Sequence, residues 1–308
     1  MIIKLLQNRT FILGMAFVLG LIFGDVAAAL QGLTMPALAV VLAVSATQIT
    51  VQDFLPIKEM ARPLVLALAA NFLFLGTVIL LLAWWLMPTW DLWVGYVLVA
   101  TAPPGIAIVP FTHVLKGNLR LSLLGTFGVY LISLFLTPLL IYLFTGEAAI
   151  SPLRLLNTMV FLILVPFIVS QFLRKINVAD YLARLRGSII NWGFFVVIFS
   201  VVGLNQDVFL QQHEVLVPVS VVAIISSFVL AVVVGAITRK LKLSHADQNS
   251  FILLSTIKTS AFAAAVGVSL YSEAASIPGA VVSFWYAIYF ILLGIKGDKK
   301  SKLTSQKD

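Results

Sequence analysis

Lys258 is the single charge in the twenty-residue apolar stretch FILLSTIKTSAFAAAVGVSL (251–270), where Ser255, Thr256, Thr259 and Ser260 flank it. A lysine at the centre of such a run costs roughly 2.5–3.5 kcal/mol on insertion scales, so a chain keeps it where a partner or a function offsets that cost. Its ammonium carries three N–H donors on a flexible stem. It can serve as a fixed cation beside freed backbone carbonyls. It can also carry a proton, since burial disfavours the charged form of lysine. A second stretch, ATAPPGIAIVPFTH (100–113), has the complementary character. Pro103 and Pro104 lack N–H donors and clash with the preceding turn, Gly105 is permissive, and Pro110 follows. A continuous helix through 103–105 is not expected. Carbonyls freed there tolerate a membrane only when buried in protein or lining a cavity.

Other chemistries lack their residues. There is no Cys, which removes disulfides and thiolate ligands. His113, His213 and His245 are too scattered for a metal cluster, and no nucleophile–base pair stands out at membrane depth. No enzyme activity, metal centre or cofactor is expected.

These residues need elements to position them. The 308-residue chain is 61% hydrophobic and 10% charged, with a mean hydropathy of +1.09. Ordinary soluble domains carry roughly 25% charged residues. The expected fold is an all-α polytopic membrane protein. Apolar stretches of spanning length fall at 11–30, 34–50, 63–86, 92–115, 119–145, 152–173, 187–205, 215–238, 249–270 and 275–296, leaving 297–308 as a polar cytoplasmic tail.

With both termini on one side, eighteen of the twenty Lys and Arg residues fall in the segments on that side, and only Arg154 falls opposite. The positive-inside rule makes that side cytoplasmic, in a cell inner (plasma) membrane. The +8 net charge is thus a topology signal, and no nucleic-acid partner is implied. Trp84, Trp85, Trp90 and Trp93 cluster at one outer loop, as an interfacial belt does.

Ten spans divide into 1–146 and 147–296. An odd number of spans per half inserts the second half upside down, which makes two inverted five-helix repeats. Transporters of that kind build their sites where corresponding helices are broken near the midplane. Spans four and nine correspond, and they hold the proline pair and Lys258.

The segments HVLKGNLRLSLLGTFGVYLISLFLTPLL (113–140), LVPFIVSQFLRK (164–175) and TSAFAAAVGVSLYSEAASIPGAVVSFWYAIY (259–289) resemble the bile acid:sodium symporter family. The resemblance implies a core domain (helices 3–5 and 8–10, broken helices 4 and 9 crossing) and a panel domain (helices 1, 2, 6 and 7). It also implies a cavity for small organic anions between them and alternating access. Sodium-coupled members carry an Asn-Ala-Ser-Asn-like run where this chain has Ile106, Ala107, Ile108 and Val109. Their ninth-helix Glu and Gln correspond to Leu254 and Lys258, and a third-helix Gln to Asn71. Ser122 and Thr126 keep the family's hydroxyls. Both sodium sites therefore read as degenerate.

The expectation is a secondary transporter for a small organic anion, sodium-independent or proton-coupled, with Lys258 in place of a sodium site. Alternatives are a sodium-coupled symporter, as in most of the family, or a non-transporting receptor or channel. Coupling candidates are Lys258, Asn71, Ser122, Thr126, Thr259 and Ser260, and the crossover is Pro103, Pro104 and Gly105. Cavity candidates are Thr112, His113, Asn191 and Asn157. The partners expected are the organic anion and the lipid bilayer, around a monomer.

Overall fold

Lipid offers no hydrogen bonds, so a spanning backbone must satisfy its own donors and acceptors, and helices do this segment by segment. The computed structural model describes residues 9–47, 57–105, 107–146, 152–175 and 179–305, and every regular element in them is helical. In chain order these are α1 (Arg9–Ile22), α2 (Thr34–Ala46), α3 (Ala61–Leu86), α4a (Trp90–Thr101), α4b (Ile108–Val114), α5 (Leu119–Thr145) and α6 (152–175). They continue as α7 (Ala179–Leu204), α8 (His213–Lys240), α9a (His245–Leu254), α9b (Ser260–Tyr271) and α10 (Glu273–Ser305). Among the described residues, α3, α5, α8 and long stretches of α7 and α10 are long and apolar enough to cross a membrane. The protein is a multi-pass membrane protein.

Several boundaries differ from the sequence reading. The expected first span, 11–30, is interrupted at Phe23, whose backbone leaves the helical region (φ −117°, ψ 53°) before a short helix over Gly24–Ala29. Asp25 in that short helix is exposed. The polar stretch beginning at 297 continues α10 to Ser305, because lysine and leucine are good helix formers and no proline stops the run. Trp84, Trp85 and Trp90 are exposed, as an interfacial belt requires.

The helices pack in two groups. α7 lies along α1 and α2, and α6 packs on α2. In the other group α3 packs on α5, while α10 crosses α4a, α9b and α8. The groups meet where α7 and α1 touch α10 and where α2 touches α9b. Small residues set the closest approaches, as they do between membrane helices: Gly203 of α7 against Ala27, and Gly279 of α10 against Ala264 of α9b.

Among the described residues four wide π turns interrupt the helices, at Ala69–Gly76 in α3, Val160–Leu164 in α6, Ile225–Val229 in α8 and Gly267–Tyr271 in α9b. Such turns often mark functional sites. The first of them faces the break in α9.

Candidate functional site

α4a ends at Thr101, with Ala102 as its cap, because Pro103 and Pro104 beyond it offer no N–H to continue the ladder. The chain turns extended at Ala102, and a helix begins again at Ile108. α9a ends at Leu254, and α9b begins only at Ser260. The two breaks lie against each other as a short antiparallel bridge between Pro104 and Lys258. Gly105 N–H donates to the Ile257 carbonyl at 3.1 Å, and Thr259 N–H donates to the Pro103 carbonyl at 3.0 Å. Gly105 has to be glycine here, since a Cβ would sit 2.5 Å from Ile257 Cγ2 and 3.0 Å from the Lys258 carbonyl oxygen.

Side chains complete the pairing. Lys258 Nζ donates to the Ala102 carbonyl at 2.9 Å, and Thr259 Oγ1 donates to the Pro104 carbonyl at 2.9 Å. Three consecutive carbonyls, 102 to 104, thus receive donors from residues 258 and 259. The ammonium also lies 4.1 Å from the centroid of the Phe72 ring, within the range of a cation–π contact. Lys258 is 1% exposed. Among the described residues no carboxylate pairs with it, so carbonyl dipoles and a ring face meet its charge.

The surrounding helices hold this arrangement. Asn71, beside Phe72 in the π turn of α3, donates its amide to the Leu254 carbonyl at 2.9 Å and to the Ile257 carbonyl at 3.3 Å. It caps the broken end of α9a. The α10 residues Ser283, Tyr286 and Tyr289, three apart and so on one face, meet Ser260, the Lys258 N–H and Thr256 respectively. Tyr130 of α5 reaches Thr259 Oγ1 at 2.7 Å. Replacing Asn71 with Leu leaves the buried Leu254 carbonyl without a donor, while the Ile257 carbonyl keeps the Gly105 N–H, and should cost about 1–3 kcal/mol. A lower thermal unfolding midpoint in detergent would register it.

Beside the crossover lies a cavity of about 40 Å³ between the two helix groups. Lys258, Thr259, Ser260 and Tyr286 line one side, and Leu13, Phe194 and Ile198 the other. That volume holds a water molecule or two, not an organic acid.

The other candidates scatter. Ser122 donates to Ser250 Oγ at 2.9 Å, tying α5 to α9a rather than to the lysine. Thr126 Oγ1 is buried without a hydrogen-bond partner, and so is Asn71 Oδ1. Thr112 is buried and bonded to the Ile108 carbonyl, whereas His113 and Asn157 are exposed. Asn191 is buried in α7. None of these last four lines the cavity. Ile106 lies outside the described residues. Tyr130, Ser283, Tyr286 and Tyr289 escaped the sequence reading, although the three-residue spacing in SFWYAIY (283–289) marks a polar stripe on an apolar helix.

A crossover of two broken helices cradling a buried cation is a transporter's arrangement, and the sequence relatives agree. The model of the SBF-like CPA transporter family matches residues 7–285. The "Uncharacterized sodium-dependent transporter YocS" of Bacillus subtilis (strain 168) is 28% identical over 254 residues, which cover 80% of this chain and 77% of that protein. With the match running from ahead of α1 into α10, the chain belongs to the SBF-like CPA transporter family, of the bile acid:sodium symporter type, and is a transporter rather than an enzyme.

Proposed function

We propose that this transporter is a sodium-independent secondary carrier of small organic anions, with the ammonium of Lys258 standing where a sodium ion is held in sodium-coupled carriers. The observation that carries the reading is the 2.9 Å bond from Lys258 Nζ to the Ala102 carbonyl at the crossover. A cation fixed by the chain needs no ion from solution to balance those freed carbonyls. In this reading α3–α5 and α8–α10 form the core domain, α1, α2, α6 and α7 the panel, and the halves 1–146 and 147–296 are inverted repeats. Paired π turns in α3 and α8, helices at equivalent places in the two halves, support the repeat. The carrier sits as a monomer in the plasma membrane with both termini cytoplasmic. The anion binds between the groups, where the small cavity widens as panel and core separate. A buried ammonium favours a carboxylate there.

Uptake into proteoliposomes, with substrates chosen by thermal shift from a panel of organic acids, tests this. Replacing choline with sodium should change the rate less than twofold. A steep, saturable sodium dependence would overturn the proposal. An imposed pH gradient separates a fixed ammonium from one that carries a proton, since only the second gives gradient-driven accumulation.

A second reading, a sodium-coupled symporter, has one specific observation in its favour. Asn71 Oδ1 and Thr126 Oγ1 are buried oxygens without partners, and such oxygens are suited to an ion. The name of the Bacillus subtilis relative points the same way. The same sodium measurement decides between them.

A further inference from the structure

Away from the crossover, a cleft of about 700 Å³ opens between the first turns of α3 and α5, the last turns of α8, and α9a. All four elements begin or end on the same side of the protein. Arg62 and Arg120, both exposed, stand at that end. Deeper in, the walls are apolar, with Leu66, Ala69 and Phe74 on one side and Val234 and Ile237 on another. Ile237 and Leu241 on the α8 wall are 43% and 65% exposed. From Arg62 to Phe74 is twelve residues, or about 18 Å of helix. Half of a hydrocarbon core of about 30 Å is nearly the same length. The cleft is therefore about as long as one leaflet is thick, with the two arginines at its mouth.

We infer that this cleft binds an anionic phospholipid, its acyl chain along α3 and α8 and its phosphate on Arg62 and Arg120. Guanidinium forks suit phosphate oxygens. Basic pockets between membrane helices are where anionic headgroups bind. Asp247, the one carboxylate on the lining among the described residues, accepts at Oδ1 from Asn118 Nδ2 at 2.8 Å and at Oδ2 from Ser244 Oγ at 2.8 Å. Arg239, at the same end, donates Nε to its own helix at the Gly235 carbonyl. An acyl chain also explains why the cleft continues past the arginines, which a free anion would not need. The inference is independent of the transport reading, since it uses neither Lys258 nor the crossover.

Native mass spectrometry of the full chain released from detergent tests it, with phosphatidylglycerol and phosphatidylcholine of matched chains as probes. The protein should retain phosphatidylglycerol at least fivefold over phosphatidylcholine. The double substitution Arg62→Gln/Arg120→Gln should bring the ratio near one, with an unchanged melting midpoint showing that the fold persists. Ala69→Phe, which fills the apolar wall, should remove the retained lipid with both arginines in place. Equal retention of the two lipids, or a preference that survives the double substitution, overturns the inference. So does displacement by glycerol 3-phosphate, which would mark a headgroup-only anion site. Lipid-free dimers that vanish on Arg62→Gln would assign the cleft to a second copy instead.

Discussion

Lys258→Met is expected to cut substrate uptake at least tenfold while leaving stability within about 1 kcal/mol of wild type. The two effects separate because they rest on different terms. Methionine nearly matches the volume and removes a buried charge, and replacing buried charged groups by apolar ones is often neutral or stabilising. Against that, the Ala102 carbonyl loses the donor it has at 2.9 Å, which costs about 1–3 kcal/mol. The relief of an ammonium at membrane depth is of similar size, about 2.5–3.5 kcal/mol. Transport, however, loses its only cation at the crossover among the described residues. Wild-type uptake by a folded Lys258→Met carrier would remove the functional role of the ammonium altogether.

Gly279→Val is expected to cost more than 3 kcal/mol and to remove most folded protein. A Cβ built on Gly279 lies 2.5 Å from the backbone N of Ala264 and 2.8 Å from its Cα. These are backbone atoms, so relief requires α10 and α9b to move apart. Overpacking of this kind costs 1–3 kcal/mol where side chains can give way, and more where they cannot. The same interface carries the Ser260–Ser283 pair and the bond from Lys258 N–H to Tyr286, so both loosen with it. Gly294→Val is the control, since a Cβ there meets nothing within 4 Å. Folded yield and melting midpoint, read by fluorescence-detected gel filtration, should fall for the first substitution alone.

The two helix breaks differ in how well the sequence announces them. The break in helix 4 is written locally, because two adjacent prolines and a glycine forbid a helix wherever they stand. The break in helix 9 is not. The run STIKTS (255–260) is compatible with a continuous helix, and α9 unwinds at 255–259 because residues 102–105 supply the partners that a helix would otherwise have supplied. That information is non-local, and so is the role of Asn71. Its identity pointed to the site, but that it caps Leu254 depends on the π turn that aims it, and ALAANFLF carries no visible mark of such a turn. Thr112, His113, Asn191 and Asn157 fell short for the opposite reason. Polar residues in apolar spans look alike whether they face a cavity, a neighbouring carbonyl or the surface.

The bridge between Pro104 and Lys258 also carries a constraint of time. The carbonyls of residues 102, 103 and 104 are satisfied by residues made more than 150 positions later. While the ribosome is still extending the chain, α4 already carries those bare oxygens, and lipid has no donor to offer them. The helices from α1 to α5 cannot settle as a finished unit. They must wait, near water or the insertion machinery, until α9 arrives. The order of synthesis thus makes the last quarter of the chain a folding partner of the first third.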